Sequence, residues 1–120
     1  MSKFKELRIW QESMILAEMV YRIIKNSNFN NDYRMMDQLH GSSICVPSNI
    51  AEGEECGYMK NQIKYLNIAK GSAAELVTQL ILSQRVGYIK ESELILLENK
   101  AHKIIASIKR YIHVKKRQVG

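Results

Sequence analysis

The sequence predicts an all-α fold, an antiparallel up-down-up-down four-helix bundle occupying one domain over residues 1–120. Three observations carry this reading. Apolar residues recur at steps of three and four through four long segments; a single Pro and six Gly interrupt 120 residues; and the breaks between segments are Asn-rich or contain Gly. Composition agrees, with 46% hydrophobic and 25% charged residues, as in an ordinary globular chain depleted of helix breakers. The helices are expected at roughly 3–26, 32–55, 58–87 and 91–116.

The first segment places Phe4, Leu7, Trp10, Met14, Ala17, Tyr21 and Ile24 at bundle spacing, with a charged face opposite. Asn26 to Asp32 is loop chemistry, and Asp32 or Asn31 is placed to cap the next helix. That second helix carries Met36, Leu39, Ser43, Val46, Ile50 and Gly53 on one stripe and Gln38, Ser42, Cys45, Asn49 and Glu52 on its neighbour. Pro47 removes one backbone donor and crowds the Ser43 carbonyl, so a kink is expected there rather than a break. Gly53 and Gly57 bracket its end.

The third segment has two stripes, Ile63, Leu66, Ala69 or Lys70, Ala73, Leu76, Leu80 and Ser83 beside Tyr65, Ile68, Ser72, Gln79, Leu82 and Val86. Two apolar faces fit a central helix, or one that meets its own bundle and a neighbouring subunit at once. Gly87 stops it, and Glu91 and Glu93 open the last helix at its positive end. Leu94, Leu97, Ala101, Ile104, Ile108 and Tyr111 continue the spacing before Lys115-Lys116-Arg117, where fraying is expected.

The charge is uneven. Residues 1–60 hold 7 Lys/Arg against 8 Asp/Glu, and residues 61–120 hold 11 against 4, giving +6 overall. Lys109, Arg110, Lys115, Lys116 and Arg117, interleaved with Tyr111 and His113, are the candidate phosphate contacts, with Lys100 and Lys103 on the same helix. The plainer account of these cations is a solvated helix end that suits the negative end of the dipole. Cys45 and Cys56 lack a CxxC spacing, the charged start from Lys3 to Arg8 is unlike a signal peptide, and no apolar run approaches the roughly 18 to 20 residues needed to span a bilayer. A soluble cytoplasmic protein with reduced thiols and no membrane partner is expected.

Catalysis is not. Two carboxylates between helices could ligate a metal, but the Glu-x-x-His pairs of di-metal bundles are missing; His40, His102 and His113 are scattered, and Glu98 with His102 has the spacing of a surface pair. No Gly-rich phosphate loop is present either, so no catalytic, metal or cofactor residue is assigned. Asn49, Glu52, Ser72 and Glu75, set among small residues in helical segments, are read instead as a hydrogen-bonded network fixing helix register and subunit pairing.

Three stretches carry a resemblance: Phe4-Lys5-Glu6-Leu7-Arg8-Ile9-Trp10-Gln11, Ser48-Asn49-Ile50-Ala51-Glu52-Gly53, and Ile68-Ala69-Lys70-Gly71-Ser72-Ala73-Ala74-Glu75-Leu76. Together they resemble the bacterial four-helix-bundle family that includes proteins encoded in 23S rRNA intervening sequences, with accessory proteins of diversity-generating retroelements as relatives. The resemblance implies a closed homo-oligomer, a homopentamer, whose tie to ribosomal RNA is genetic. Where the family pattern has a cation beyond the second motif, this chain has Glu54-Glu55-Cys56. The expected function is a non-enzymatic homo-oligomeric bundle binding RNA or DNA through phosphates. The alternative is a protein-interaction scaffold or accessory subunit without intrinsic nucleic-acid function.

Overall fold

In the computed structural model, which describes residues 3–119, a 3-10 turn at Lys3–Glu6 precedes α1 (Arg8–Asn26), α2 (Tyr33–Glu55), α3 (Met59–Arg85) and α4 (Glu91–Val119). The expected domain limits at residues 1 and 120 lie outside the described residues. There are four helices and no strand among the described residues. α1 packs on α2, α2 on α3, α3 on α4 and α4 on α1, whereas the backbones of the diagonal pairs stay apart.

The expected first helix is split. Leu7 adopts an extended conformation (φ −73°, ψ 125°), and Lys3–Glu6 forms its own turn, held by the Gln11 Nε2 bond to the Lys5 carbonyl (2.8 Å) and by the Phe4 ring edge against Trp10. The face that α1 buries is also rotated from the expected one. Ser13, Leu16, Ala17, Val20 and Ile24 enter the core, whereas Trp10 and Met14 are half-buried and Tyr21 is exposed. Ser13 tolerates full burial because its hydroxyl donates to the Ile9 carbonyl at 2.6 Å.

Asp32 caps α2, accepting from the Met35 N–H at 3.0 Å, and its other carboxylate oxygen accepts from the Tyr88 hydroxyl at 2.8 Å. These bonds, the Met35 one foremost, hold the Asp32 carboxyl below its ordinary range and tie the α1–α2 connection to the α3–α4 connection. α2 runs without a break through Pro47, which is buried. Gly53 lies inside the helix, which ends at Glu55, between Gly53 and Gly57. A β-carbon on Gly53 would stand 3.2 Å from the Gln62 carbonyl and 3.3 Å from the Tyr65 Cβ, so this is where α2 and α3 approach closely. Gly71, by contrast, faces open space, and the tight contact on α3 falls to Ala69 and Ala73.

Gly87 (φ 89°) ends α3 in a Schellman arrangement, with the Tyr88 N–H on the Ser83 carbonyl (2.8 Å) and the Gly87 N–H on the Gln84 carbonyl (3.0 Å). The core is built from Leu16, Val20, Leu39, Val46, Ile50, Leu66, Leu76, Leu80, Leu97 and Ile108, drawn from all four helices. Ser83 Oγ sits in it without a hydrogen-bond partner. Since an unpaired buried hydroxyl carries a desolvation penalty, Ser83→Ala should leave stability unchanged or raise it by about 1 kcal/mol in chemical denaturation. A loss of similar size would show that the hydroxyl is satisfied. α4 continues as helix to Val119, past the expected fraying point. No described helix is long and apolar enough to cross a membrane.

Candidate functional site

α4 begins at Glu91, with the Glu93 carboxylate accepting from the Lys90 N–H at 2.8 Å, and continues for 29 residues. At about 100° per residue, positions 100, 103, 107 and 110 fall within an arc of about 80°. That arc faces the first turns of α1. Lys100, Lys103, Ser107 and Arg110 line one wall of a cleft of about 610 Å3, Arg8 and Glu12 line the other, and Ile9, Ile104 and Ala106 complete it. The cleft thus gathers four cations against one carboxylate. Lys100 Nζ lies 3.2 Å from Glu12 Oε2, and Arg110 Nη2 donates to Ser107 Oγ at 3.0 Å, which leaves most of the guanidinium N–H groups uncommitted to that hydroxyl. Cations converging on a concave polar surface suit an anionic ligand.

Of the seven cations expected to meet phosphate, Lys100, Lys103 and Arg110 line this cleft. Lys109, Lys116 and Arg117 are exposed elsewhere on α4. Lys115 is removed from the set. It is 8% exposed, its ammonium donates to Gln62 Oε1 at 3.1 Å, and it stands 4.7 Å from the centroid of the Tyr111 ring. Its neighbours form a polar clasp. Tyr111 donates to Glu54 Oε2 at 2.9 Å, and Gln62 Nε2 donates to the Cys56 carbonyl at 2.7 Å, so the clasp ties α4 to the α2–α3 connection. Glu54, found where a cation was expected, is therefore an acceptor inside the fold.

Burial, followed by the Glu54 bond, pushes the Tyr111 phenol from its ordinary 10 up to about 12. The folded state thus holds this proton more tightly than the unfolded chain. The resulting stabilisation is present in full below pH 10 and is lost as pH rises through 12. Tyr111→Phe should cost about 1 kcal/mol at neutral pH and flatten that alkaline loss. Parallel denaturation curves for wild type and variant across this pH range check it, and identical pH dependence would contradict it.

The four residues read as a network are not joined to one another by hydrogen bonds within the chain. Asn49 Nδ2 donates to the Cys45 carbonyl of its own helix at 2.8 Å, Ser72 is half-buried, and Glu52 and Glu75 are exposed. The polar link between α2 and α3 is made instead by Ser42 Oγ to Gln79 Oε1 (2.6 Å) and Gln79 Nε2 to Gln38 Oε1 (3.3 Å). His102 pairs with Glu98 at 3.2 Å on the outer surface of α4. Among the described residues, no cluster of three or more His, Cys, Asp or Glu side chains is placed to hold a metal ion.

A second concavity, between α1 and α2, is apolar. Trp10, Met14, Ala17, Tyr21, Ile44 and Pro47 line it, with Glu18 and Arg22 at its rim.

The family model described as 23S rRNA-intervening sequence protein matches residues 5–110. The chain belongs to that family. The match runs from the 3-10 turn to Arg110, so it spans both walls of the basic cleft. Among solved structures, the chain is similar to a protein of unknown function from the S23 ribosomal protein family of Bacteroides thetaiotaomicron. The two share 24% identity over 87% of this chain and 97% of that one, with a TM-score of 0.79, a likeness of fold. Among curated proteins none matches this sequence.

Proposed function

We propose that this family member is a non-enzymatic cytoplasmic bundle that assembles into a closed homo-oligomer and binds RNA or DNA through backbone phosphates, with little direct base readout. The α1/α4 cleft carries the reading, because Arg8, Lys100, Lys103 and Arg110 converge there from two helices. An antiparallel up-down-up-down course is supported by the connections 27–32, 56–58 and 86–90, too short to run back along a helix of 27 residues, which is about 40 Å long. A second copy is the occupant we assign to the apolar α1/α2 groove. α1 and α2 hold four Lys/Arg against six Asp/Glu, whereas α3 and α4 hold eleven against four and expose Ile68, Leu82, Ile95 and Leu96. Unlike faces attract head to tail, the geometry from which rings are built, and family resemblance favours five copies. Glu52 and Glu75, on outer faces of the chain, are then available to a neighbour.

The test is binding of a 23S-type RNA and of random duplex DNA as salt is varied, with oligomer mass followed in parallel. The scaffold reading draws on the same exposed Ile95 and Leu96. It gains if the protein binds neither nucleic acid at low salt and instead retains a stoichiometric protein in high salt.

A further inference from the structure

The phosphate-binding cleft contains its own competing anion. Glu12 is the single carboxylate on its walls, one helical turn from Arg8, and it meets Lys100 across the cleft at 3.2 Å. Both side chains are half-buried, 26% exposed for Lys100 and 39% for Glu12, so the pair is less screened than one on an open surface. Nothing in packing demands a carboxylate there; an uncharged side chain would leave the apolar contacts of Ile9 and Ile104 in place.

We propose that Glu12 is an internal competitor for the ligand: it occupies Lys100 in the free protein and yields that ammonium to a backbone phosphate on binding. This rests on the nucleic-acid reading above. A carboxylate and a phosphodiester each carry one negative charge and present two acceptor oxygens, so one can replace the other on Lys100 without changing the number of anions it contacts. Glu12 then turns outward to solvent, which its partial exposure permits. Arg8, Lys103 and Arg110 remain to receive the incoming strand throughout, with Arg110 steadied by Ser107. The consequence is a cleft with attenuated affinity, in which a weakly held polyanion does not displace Glu12 and a well-fitted one does.

Glu12→Gln keeps the shape of the side chain and removes its charge. Binding of a labelled 23S-type RNA hairpin at about 50 mM salt should tighten about threefold to fivefold, the size expected for freeing one partly exposed ion pair. The plot of log affinity against log salt should also steepen by up to about 0.7 to 0.9, because Lys100 then releases a counterion on binding. Glu91→Gln, an equal change in net charge at an exposed site in the first turn of α4 outside both this cleft and the apolar groove, should have neither effect. In a Lys100→Gln background the gain from Glu12→Gln should vanish, since its beneficiary is gone. If wild type binds with a steep salt slope and Glu12→Gln binds no better, the competitor role is overturned while the nucleic-acid reading stands. If wild type shows no salt-dependent binding at all, that reading fails and takes this one with it.

Discussion

Reversing the cleft charge with Lys103→Glu and Arg110→Glu together should weaken RNA binding by about 100-fold or more at low salt. Each lost charge-assisted contact is worth about 1.5 to 3 kcal/mol, and tenfold in affinity corresponds to about 1.4 kcal/mol. The figure is a lower bound on the combined effect, because the new carboxylates also repel the strand. Both residues are exposed and neither carries part of the core, so melting temperature should change little. The control is Arg34→Glu on α2, an exposed cation outside the cleft. If Arg34→Glu weakens binding per unit of charge as much as the cleft variant does, the protein attracts polyanions by net charge alone. If only the cleft variant loses binding, the wall shared by α1 and α4 is the contact surface.

The largest effect on stability is expected at Leu76. It is fully buried on α3, in the core cluster that joins this helix to its neighbours. Leu76→Ala should cost about 2 to 5 kcal/mol, the range for removing a buried Leu side chain from a site that cannot fully collapse. The midpoint of denaturant unfolding should fall with its slope unchanged. Thr78→Ala, two positions along and exposed, should stay within about 0.5 kcal/mol. Equal effects at the two positions would contradict the assignment of faces on α3.

That assignment was legible in the sequence for α3 and α4, where Leu66, Ala73, Leu76, Leu80, Leu97, Ala101, Ile104 and Ile108 fall on the expected stripe and are buried. α1 was harder because it carries two overlapping apolar stripes. Trp10, Met14 and Tyr21 look more core-forming than Ser13, yet the small Ser13 goes inside by bonding its own helix, and the larger residues line the outer groove. Periodicity identifies which residues share a face, but with two such faces it does not say which one the neighbouring helices cover. The same limit applied to the cleft. Its α4 cations were visible as a cluster, whereas Arg8 and Glu12 join them only once α1 is laid beside α4, more than 80 residues away along the chain. Lys115 left the set for a similar reason. Its partner Gln62 is set by where α2 turns into α3, and although Tyr111 lies one turn back on α4, nothing in the basic run Lys115-Lys116-Arg117 marks one member as internal.

Salt-dependent binding tests the central claim most directly, because phosphate contact and counterion release are the same event. If Arg8, Lys103 and Arg110 each engage one phosphate, the affinity of each protomer for a 23S-type RNA should fall with a log–log slope of about −2 to −3. Between 50 and 300 mM salt that amounts to a loss of about 100-fold, deeper if several protomers of one oligomer contact the same strand. A slope near zero, measured on an oligomer of defined mass, would contradict the account and leave the cleft cations as solvated charge.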